Sequence, residues 1–381
     1  MKIGFDAKRA FFNHTGLGNY SRFVLRTLTD HFPHHQYLLY SPRAAGKVHP
    51  ELQPLLELPN VQASTPSGVM AQFGLSALWR SYSLAKVAAA HGADLLHGLS
   101  NELPFGKSTK LKQVVTIHDV LFLRYPHLYN LLDLSIYKQK TAWACKAADK
   151  IIAVSQQTAQ DLIDFYKVPA SKIEVVYQGC HPSFREEYDS YVLDRVASKY
   201  SLPQDFILNV GTLEPRKNAL LILKALTQLR SKTKPSLVLV GKETEYKNEL
   251  IAYARKENLM DQLYFRHNVS FEDLPKVYQL SRMFVYPSVF EGFGIPILEA
   301  LCSRVPVITS KGSCFDEAGG PHSLYINPND PEELADAILR IYNNATMATK
   351  MTIDGVAHSL NFEEERLAGH LMQVYEKVLG S

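Results

Sequence analysis

Phe206-Ile-Leu-Asn-Val210-Gly211-Thr-Leu-Glu-Pro215-Arg216-Lys217-Asn-Ala-Leu-Leu221 reads as a strand, a turn containing glycine and a helix whose start carries two cations. The same strand-then-helix unit recurs from one end of the chain to the other, which is the signature of parallel sheets with helical crossovers. In the first half, strands are expected at 2–5, 37–40, 94–97, 113–117, 150–154 and 173–177, with helices at 18–29, 71–90, 131–148 and 156–165. Ser155 stands between a strand and a helix as a cap would. The second half repeats the plan, with strands at 206–210, 237–240, 263–265, 283–286, 305–308 and 324–326. Its helices are expected at 219–229, 248–258, 273–280, 296–302 and 331–342. Between the halves, Gln178-Gly-Cys-His-Pro182 and the charged stretch after it have the composition of a domain junction. The expected architecture is α/β: two doubly wound domains facing a cleft, with ligands at the carboxyl ends of the strands.

A chain of 381 residues with 46% hydrophobic content has the length of about two domains. Cys145, Cys180, Cys302 and Cys314 form no Cys-x-x-Cys pair, so they read as reduced packing residues rather than zinc ligands or a disulfide framework. No apolar run approaches the roughly 18 residues of a membrane span and no signal-peptide pattern opens the chain, so a cytoplasmic protein is expected. The net charge of +3 is unevenly spread. Residues 1–178 carry 19 Lys and Arg against 12 Asp and Glu, a net of +7, and the remainder carries 22 against 26, a net of −4. A basic first half suits an anionic partner or the inner face of a membrane, or is ordinary solvated Lys and Arg. Nucleic acid is not among the expected partners.

Arg216 and Lys217 sit where a helix start favours acids, so their placement needs a reason beyond helix stability. A planar guanidinium fork, a mobile ammonium and a helix N-terminus together suit a diphosphate. In Val289-Phe-Glu291-Gly292-Phe293-Gly294-Ile-Pro296-Ile-Leu-Glu299, Pro296 suits the first helical position. That leaves Glu291 on the loop and Glu299 in the first turns, each free to hold different hydroxyls of one ligand. Gly292 and Gly294 let backbone approach that ligand, although a tight turn alone explains them too. Gly16-Leu-Gly18-Asn19-Tyr20 opens a helix without matching the dinucleotide fingerprint. His118-Asp119 follows the buried run 111–117, where a histidine either donates to a sugar hydroxyl or tethers a loop. The other histidines show no metal-ligand spacing and no Asp-x-Asp occurs, so Arg216 and Lys217 would take a metal's part. The amphipathic stretch 69–84 suits core packing or contact with a membrane or lipid-linked acceptor.

Together these motifs resemble the family-4 retaining glycosyltransferases of the GT-B fold, especially the bacterial mannosyltransferase-like branch that builds surface polysaccharides such as lipopolysaccharide. The resemblance rests on Gly16-Leu-Gly18-Asn-Tyr20, His118-Asp119, Ala153-Val-Ser155, Val210-Gly211 through Asn218, Glu291 with Glu299, Val305-Pro-Val-Ile308 and Pro328-Asn-Asp-Pro-Glu-Glu333. It implies two Rossmann-like domains: an acceptor-binding one over 1–180, with the last helix at about 363–381 packing back on it, and a nucleotide-sugar-binding one over 181–362. It implies metal-independent transfer of a hexose, with no cofactor, from a GDP- or UDP-sugar to a glycan or lipid-linked acceptor. By the same resemblance Arg216 and Lys217 hold the donor diphosphate near Gly211, Gly16 and Gly18. Glu299 binds the ribose, and Glu291 with the Gly292, Phe293 and Gly294 backbone binds the hexose. His118 contacts the reacting sugar, and Val269 meets the base. Catalysis then falls to Glu291, His118, Arg216 and Lys217. Arg304 and Asp316 depart from the family pattern near the donor end. A sugar-nucleotide epimerase of the same fold and a non-catalytic sugar-nucleotide-binding protein are the alternatives.

Overall fold

The computed structural model describes residues 1–43, 48–66, 75–106, 111–229 and 235–380. It divides into two units, Met1–Gln178 with Glu364–Ser381 and Gly179–Glu363.

The first unit is built on seven strands: β1 (Lys2–Asp6), β2 (Gln36–Tyr40), β3 (Val61–Ser64), β4 (Leu95–Gly98), β5 (Lys112–Ile117), β6 (Lys150–Ala153) and β7 (Ile173–Val175). All are parallel, in the order β3-β2-β1-β4-β5-β6-β7. Ile3 pairs with Tyr37 on one side and Leu95 on the other. The central strands are almost wholly buried because helices cover both faces. Val61–Ser64 escaped the sequence reading because Val-Gln-Ala-Ser is a half-exposed edge strand without an apolar run. Ser155 caps the helix Gln156–Tyr166 as expected, its Oγ accepting the Thr158 N–H at 3.0 Å.

The expected helix 71–90 is partly outside the described residues. From residue 76 it runs as Ser76–Leu78, the π-helical segment Trp79–Ser83 and Leu84–Ala90, burying Trp79 and Leu84 while Leu78 and Tyr82 stay exposed. The last helix, Glu364–Leu379, lies in this unit. Arg26 on the helix Gly16–His31 pairs with Glu364, Lys377 pairs with Glu174 at 3.1 Å, and Tyr375 bonds His97 Nδ1 at 2.7 Å in the core.

The second unit has six parallel strands, β8 (Phe206–Val210), β9 (Ser236–Val240), β10 (Leu263–Arg266), β11 (Met283–Tyr286), β12 (Val307–Ser310) and β13 (Leu324–Ile326), ordered β10-β9-β8-β11-β12-β13. Strand β12 starts two residues later than expected, after Pro306, which has no N–H for the ladder. Among the helices that went unread are Ser190–Lys199 and Ala345–Ser359, although Asp189 and Asn344 cap them through their side chains, and the short Phe315–Gly319. All four cysteines are free and buried.

In each unit the chain winds outward from one central strand and then returns to that strand's other side, leaving a switch point between β1 and β4 and another between β8 and β11. On the other side of β8, the turns after β8 and β9 touch. Gly241 has φ +151° and a Cβ on it would lie 1.9 Å from the Gly211 carbonyl oxygen. Gly241→Ala should therefore destabilise the second unit by about 1–3 kcal/mol through backbone strain and displacement of the Gly211 turn. Thermal unfolding checks this, with an unchanged melting temperature as the contrary result.

Candidate functional site

Of the candidate residues of the second unit, Gly211, Arg216, Lys217 and Glu291 gather at its switch point, whereas Val269 lies on the loop after β10. After β8 the chain turns at Gly211, φ +147°, and then forms the short 3₁₀ turn Pro215–Lys217. Asn218 adopts a left-handed conformation, φ 58°, and the helix begins only at Ala219. Arg216 and Lys217 are thus on a separate turn ahead of the helix, not in its first turn as the sequence suggested, and their conflict with the helix dipole disappears. The Asn218 side-chain amide fixes this turn by donating to the carbonyls of Pro287 at 3.1 Å and Pro328 at 2.7 Å. A Cβ at Gly211 would come within 3.6 Å of the Lys217 side chain, so glycine there leaves that stem room.

Glu291 lies on the loop after β11 and binds both cations through one oxygen. Its Oε1 accepts from Arg216 at 2.8 Å, Lys217 at 2.6 Å, the Tyr286 hydroxyl at 2.9 Å and the Ser288 hydroxyl at 2.7 Å. Arg216 also binds the Phe290 carbonyl and Glu214, each at 2.5 Å, and Lys217 bonds the Tyr286 hydroxyl. The side chains of Arg216, Lys217 and Glu291 are 16%, 14% and 13% exposed, so these pairs are shielded from the screening that makes surface ion pairs weak. Burial pushes the Glu291 carboxyl up, but Lys217 and Arg216 outweigh it and bring it down to about 2. Glu291 is ionised at every physiological pH. Its Oε2 has no partner among the described residues.

Glu299 has the opposite environment. It lies on the helix Ile295–Cys302, in which Pro296 is the second residue rather than the first, and its Oε2 accepts from the Tyr278 hydroxyl at 2.9 Å. Burial raises its carboxyl to about 7, and the Tyr278 bond offsets only part of that. Glu299 makes no bond to Arg216 or Lys217. Gly294, φ +98°, is the N-cap residue of the helix, a backbone role that glycine fills without strain. Phe293 is 2% exposed and its ring packs on Phe362, so the side chain belongs to the core. Val269 lies half-buried on the loop after β10, which His267 pins by donating from Nδ1 to the Gly241 carbonyl at 3.0 Å.

In the first unit, Gly18 is buried and its amide donates to the Asn13 side chain at 3.2 Å. A Cβ there would fall 1.8 Å from the Asn13 carbonyl oxygen, so this glycine serves the turn itself. Gly16 is exposed, with open space where its Cβ would be. His118 follows β5, and its Nε2 donates to the Leu99 carbonyl at 2.9 Å while Gln178 donates to Nδ1 at 3.3 Å. Both ring nitrogens are therefore engaged, and the expected donation to a sugar hydroxyl has no free N–H to come from. Burial is the main cause that brings its pKa down to about 4, so the ring is neutral at pH 7. The sequence reading missed Tyr286, Ser288, Tyr278 and Asn218. Tyr286 was within reach of it, as the last residue of β11 and hence at the carboxyl end of a switch-point strand.

Residues 15–184 match the family model described as Glycosyltransferase Family 4, and residues 194–355 match Glycosyl transferases group 1. The chain is 30% identical over 272 residues to O-antigen chain mannosyltransferase B of Escherichia coli, covering 70% of each. It is 26% identical over 279 residues to the serotype-specific mannosyltransferase WbdA of Escherichia coli, covering 71% of this chain and 34% of that longer one. A solved structure of Anabaena HepE in complex with UDP and glucose superposes with a TM-score of 0.74 at 20% identity, covering 99% of this chain and 100% of that one.

The raised Glu299 carboxyl has a consequence for stability. The folded state keeps a proton that the unfolded chain releases near pH 4.5, so stability from this group falls as pH rises from about 4.5 through about 7, by on the order of 3 kcal/mol. Glu299→Gln removes that dependence. The melting temperature of the variant should gain on the parent across this window, whereas parallel curves would contradict the assignment.

Proposed function

We propose a specific reaction for this chain, which belongs to the family-4 glycosyltransferases of the GT-B fold. It moves a hexose, mannose first among candidates, from a GDP- or UDP-sugar to a glycan or lipid-linked acceptor in surface polysaccharide synthesis, with retention at the anomeric carbon and without a metal ion. The observation that carries this reading is the convergence of Arg216, Lys217 and Glu291 at the carboxyl ends of β8 and β11. The mannosyltransferase names of the relatives support the hexose, and the UDP held by the structural neighbour supports the donor class.

Diphosphate oxygens take N–H donors from Arg216 and Lys217, and Glu291 turns its unpartnered Oε2 to a hexose hydroxyl. Glu299, close to half-protonated at pH 7, offers both a donor and an acceptor to the ribose hydroxyls. The loop backbone at Val269 takes the base. The acceptor hydroxyl attacks the anomeric carbon on the face the diphosphate leaves, the sugar–phosphate bond breaks, and a leaving phosphate oxygen takes the proton. The protein's contribution is positioning and stabilisation of charge on the departing diphosphate. To the first unit we assign the acceptor, with the exposed Gly16 turn as its contribution to the reacting sugars and His118, engaged at both ring nitrogens, holding the loop after β5 in place.

Arg216→Ala or Lys217→Ala should lower kcat by about 10²–10³, and a chelator should leave wild-type turnover unchanged. Full turnover in either variant would sink the assignment, chelator-sensitive turnover would refute the metal-free reading, and isomerised free sugar nucleotide by NMR would point to an epimerase instead.

Among the described residues no helix is long and apolar enough to cross a membrane. Leu131 and Leu132 are 84% and 79% exposed at the start of the helix Leu131–Ala147, which supports peripheral contact of the first unit with the inner face of a membrane. Leu131→Ser with Leu132→Ser should reduce co-sedimentation with anionic lipid vesicles, and undiminished association would remove that part of the reading.

A further inference from the structure

The two units share a charge plan. In the second, Arg216-Lys217 follows the central strand β8 and Glu291 follows its switch-point neighbour β11. In the first, Lys8-Arg9 follows the central strand β1 and Glu102 follows β4, again at the switch point where an open α/β sheet receives its ligand. The difference lies in the counter-ions. Arg216 and Lys217 each have a carboxylate partner. Around β1 and β4 the carboxylates are engaged elsewhere: Arg80 binds Asp6 through Nε at 2.7 Å and Glu102 through its NH1, and Lys140 binds Glu102 at 3.3 Å.

Lys8 and Arg9 are left without an ion pair among the described residues, and the Arg9 Nε is a buried donor with no hydrogen-bond partner. Burial does most to lower the Lys8 pKa and the like charges of Arg80 and Arg9 add to it, while Glu102 and Asp6, already paired with Arg80, offset only part. The charge of Arg9 also acts on His118 at the end of β5. Lys8 and Arg9 are half-exposed, but a buried N–H donor such as the Arg9 Nε is nearly always satisfied. Two adjacent cations with an orphaned donor, at the position where the fold binds ligands, call for an anion supplied from outside the chain.

We propose that Lys8 and Arg9 form a phosphate-binding site of the first unit, which takes the phosphate or diphosphate joining the acceptor glycan to its carrier. The guanidinium fork matches a pair of phosphate oxygens, and the adjacent ammonium adds a point charge. This inference rests on the acceptor assignment made above, but the site itself is testable without turnover.

Inorganic pyrophosphate titrated calorimetrically into the full chain carrying Arg216→Ala and Lys217→Ala reports the first unit's site alone. Binding is expected there, weakened at least about tenfold by adding Lys8→Gln with Arg9→Gln and kept by Arg9→Lys. Lys8→Gln alone, measured beside the double variant, separates lost binding from lost folding. Pyrophosphate affinity indifferent to these changes overturns the site.

With Arg216 and Lys217 intact, two acceptors carrying the same glycan, one on a lipid diphosphate and one on a neutral alkyl chain, identify the source of the anion. Lys8→Gln with Arg9→Gln should raise KM about tenfold for the first acceptor and leave the second acceptor and the donor unaffected. A rise in donor KM alone overturns the acceptor assignment. No transfer to either acceptor, with pyrophosphate binding still dependent on Lys8 and Arg9, supports the anion site and sinks the transferase reading.

Discussion

A parallel sheet covered by helices on both faces can present polar groups to a ligand only at its ends, and the two loops that part at a switch point open a crevice at one of them. Both units obey that constraint, beside β1 in one and beside β8 in the other. The chemistry-bearing residues of the second unit follow from it. Arg216 and Lys217 are carried on the loop after β8, and Glu291, Tyr286 and Ser288 at the end of β11, so they meet because those two strands are neighbours in space. Some seventy residues of sequence separate the two loops.

Their meeting produces two carboxylates of opposite character within one motif. Glu291 and Glu299 are eight residues apart, and both lose solvation. Glu291 recovers it from two cations and two hydroxyls on a single oxygen, and stays ionised. Glu299 has one tyrosine hydroxyl to set against burial, and its proton is retained up to about pH 7. Neighbouring charge and desolvation pull in opposite directions, and the count of cationic partners decides which wins. The division of labour proposed above, a charged group for the sugar and a partly neutral one for the nucleotide, rests on this electrostatic difference.

The first unit organises its centre differently. Thr116 on β5 bonds His97 at 2.8 Å and Tyr20 at 3.0 Å, and His97 bonds Tyr375 on the last helix at 2.7 Å. This buried chain is fully satisfied, which suits it to fixing one arrangement of helix and sheet. Burial brings the His97 pKa down to about 3, so the network stays neutral and its hydrogen bonds do not change with pH in the neutral range.

The amino-acid sequence by itself determined the alternation of strands and helices, the Ser155 cap, and the placement of Arg216, Lys217 and Glu291 at strand ends, because these depend on neighbours a few residues away. It was less able to show the edge strand Val61–Ser64, which has no apolar run, or the helix Ser190–Lys199 beside a charged junction. Only the tertiary structure decided that Arg216 and Lys217 stand on a turn of their own, that the Phe293 ring belongs to the core, that His118 is neutral with both nitrogens engaged, and that Lys8 and Arg9 have no ion-pair partner among the described residues, unlike their counterparts. Each of these depends on which strands lie side by side and on how much water and charge surround a group. Strand order and burial are set by contacts across the whole unit, and no local pattern of residues encodes them.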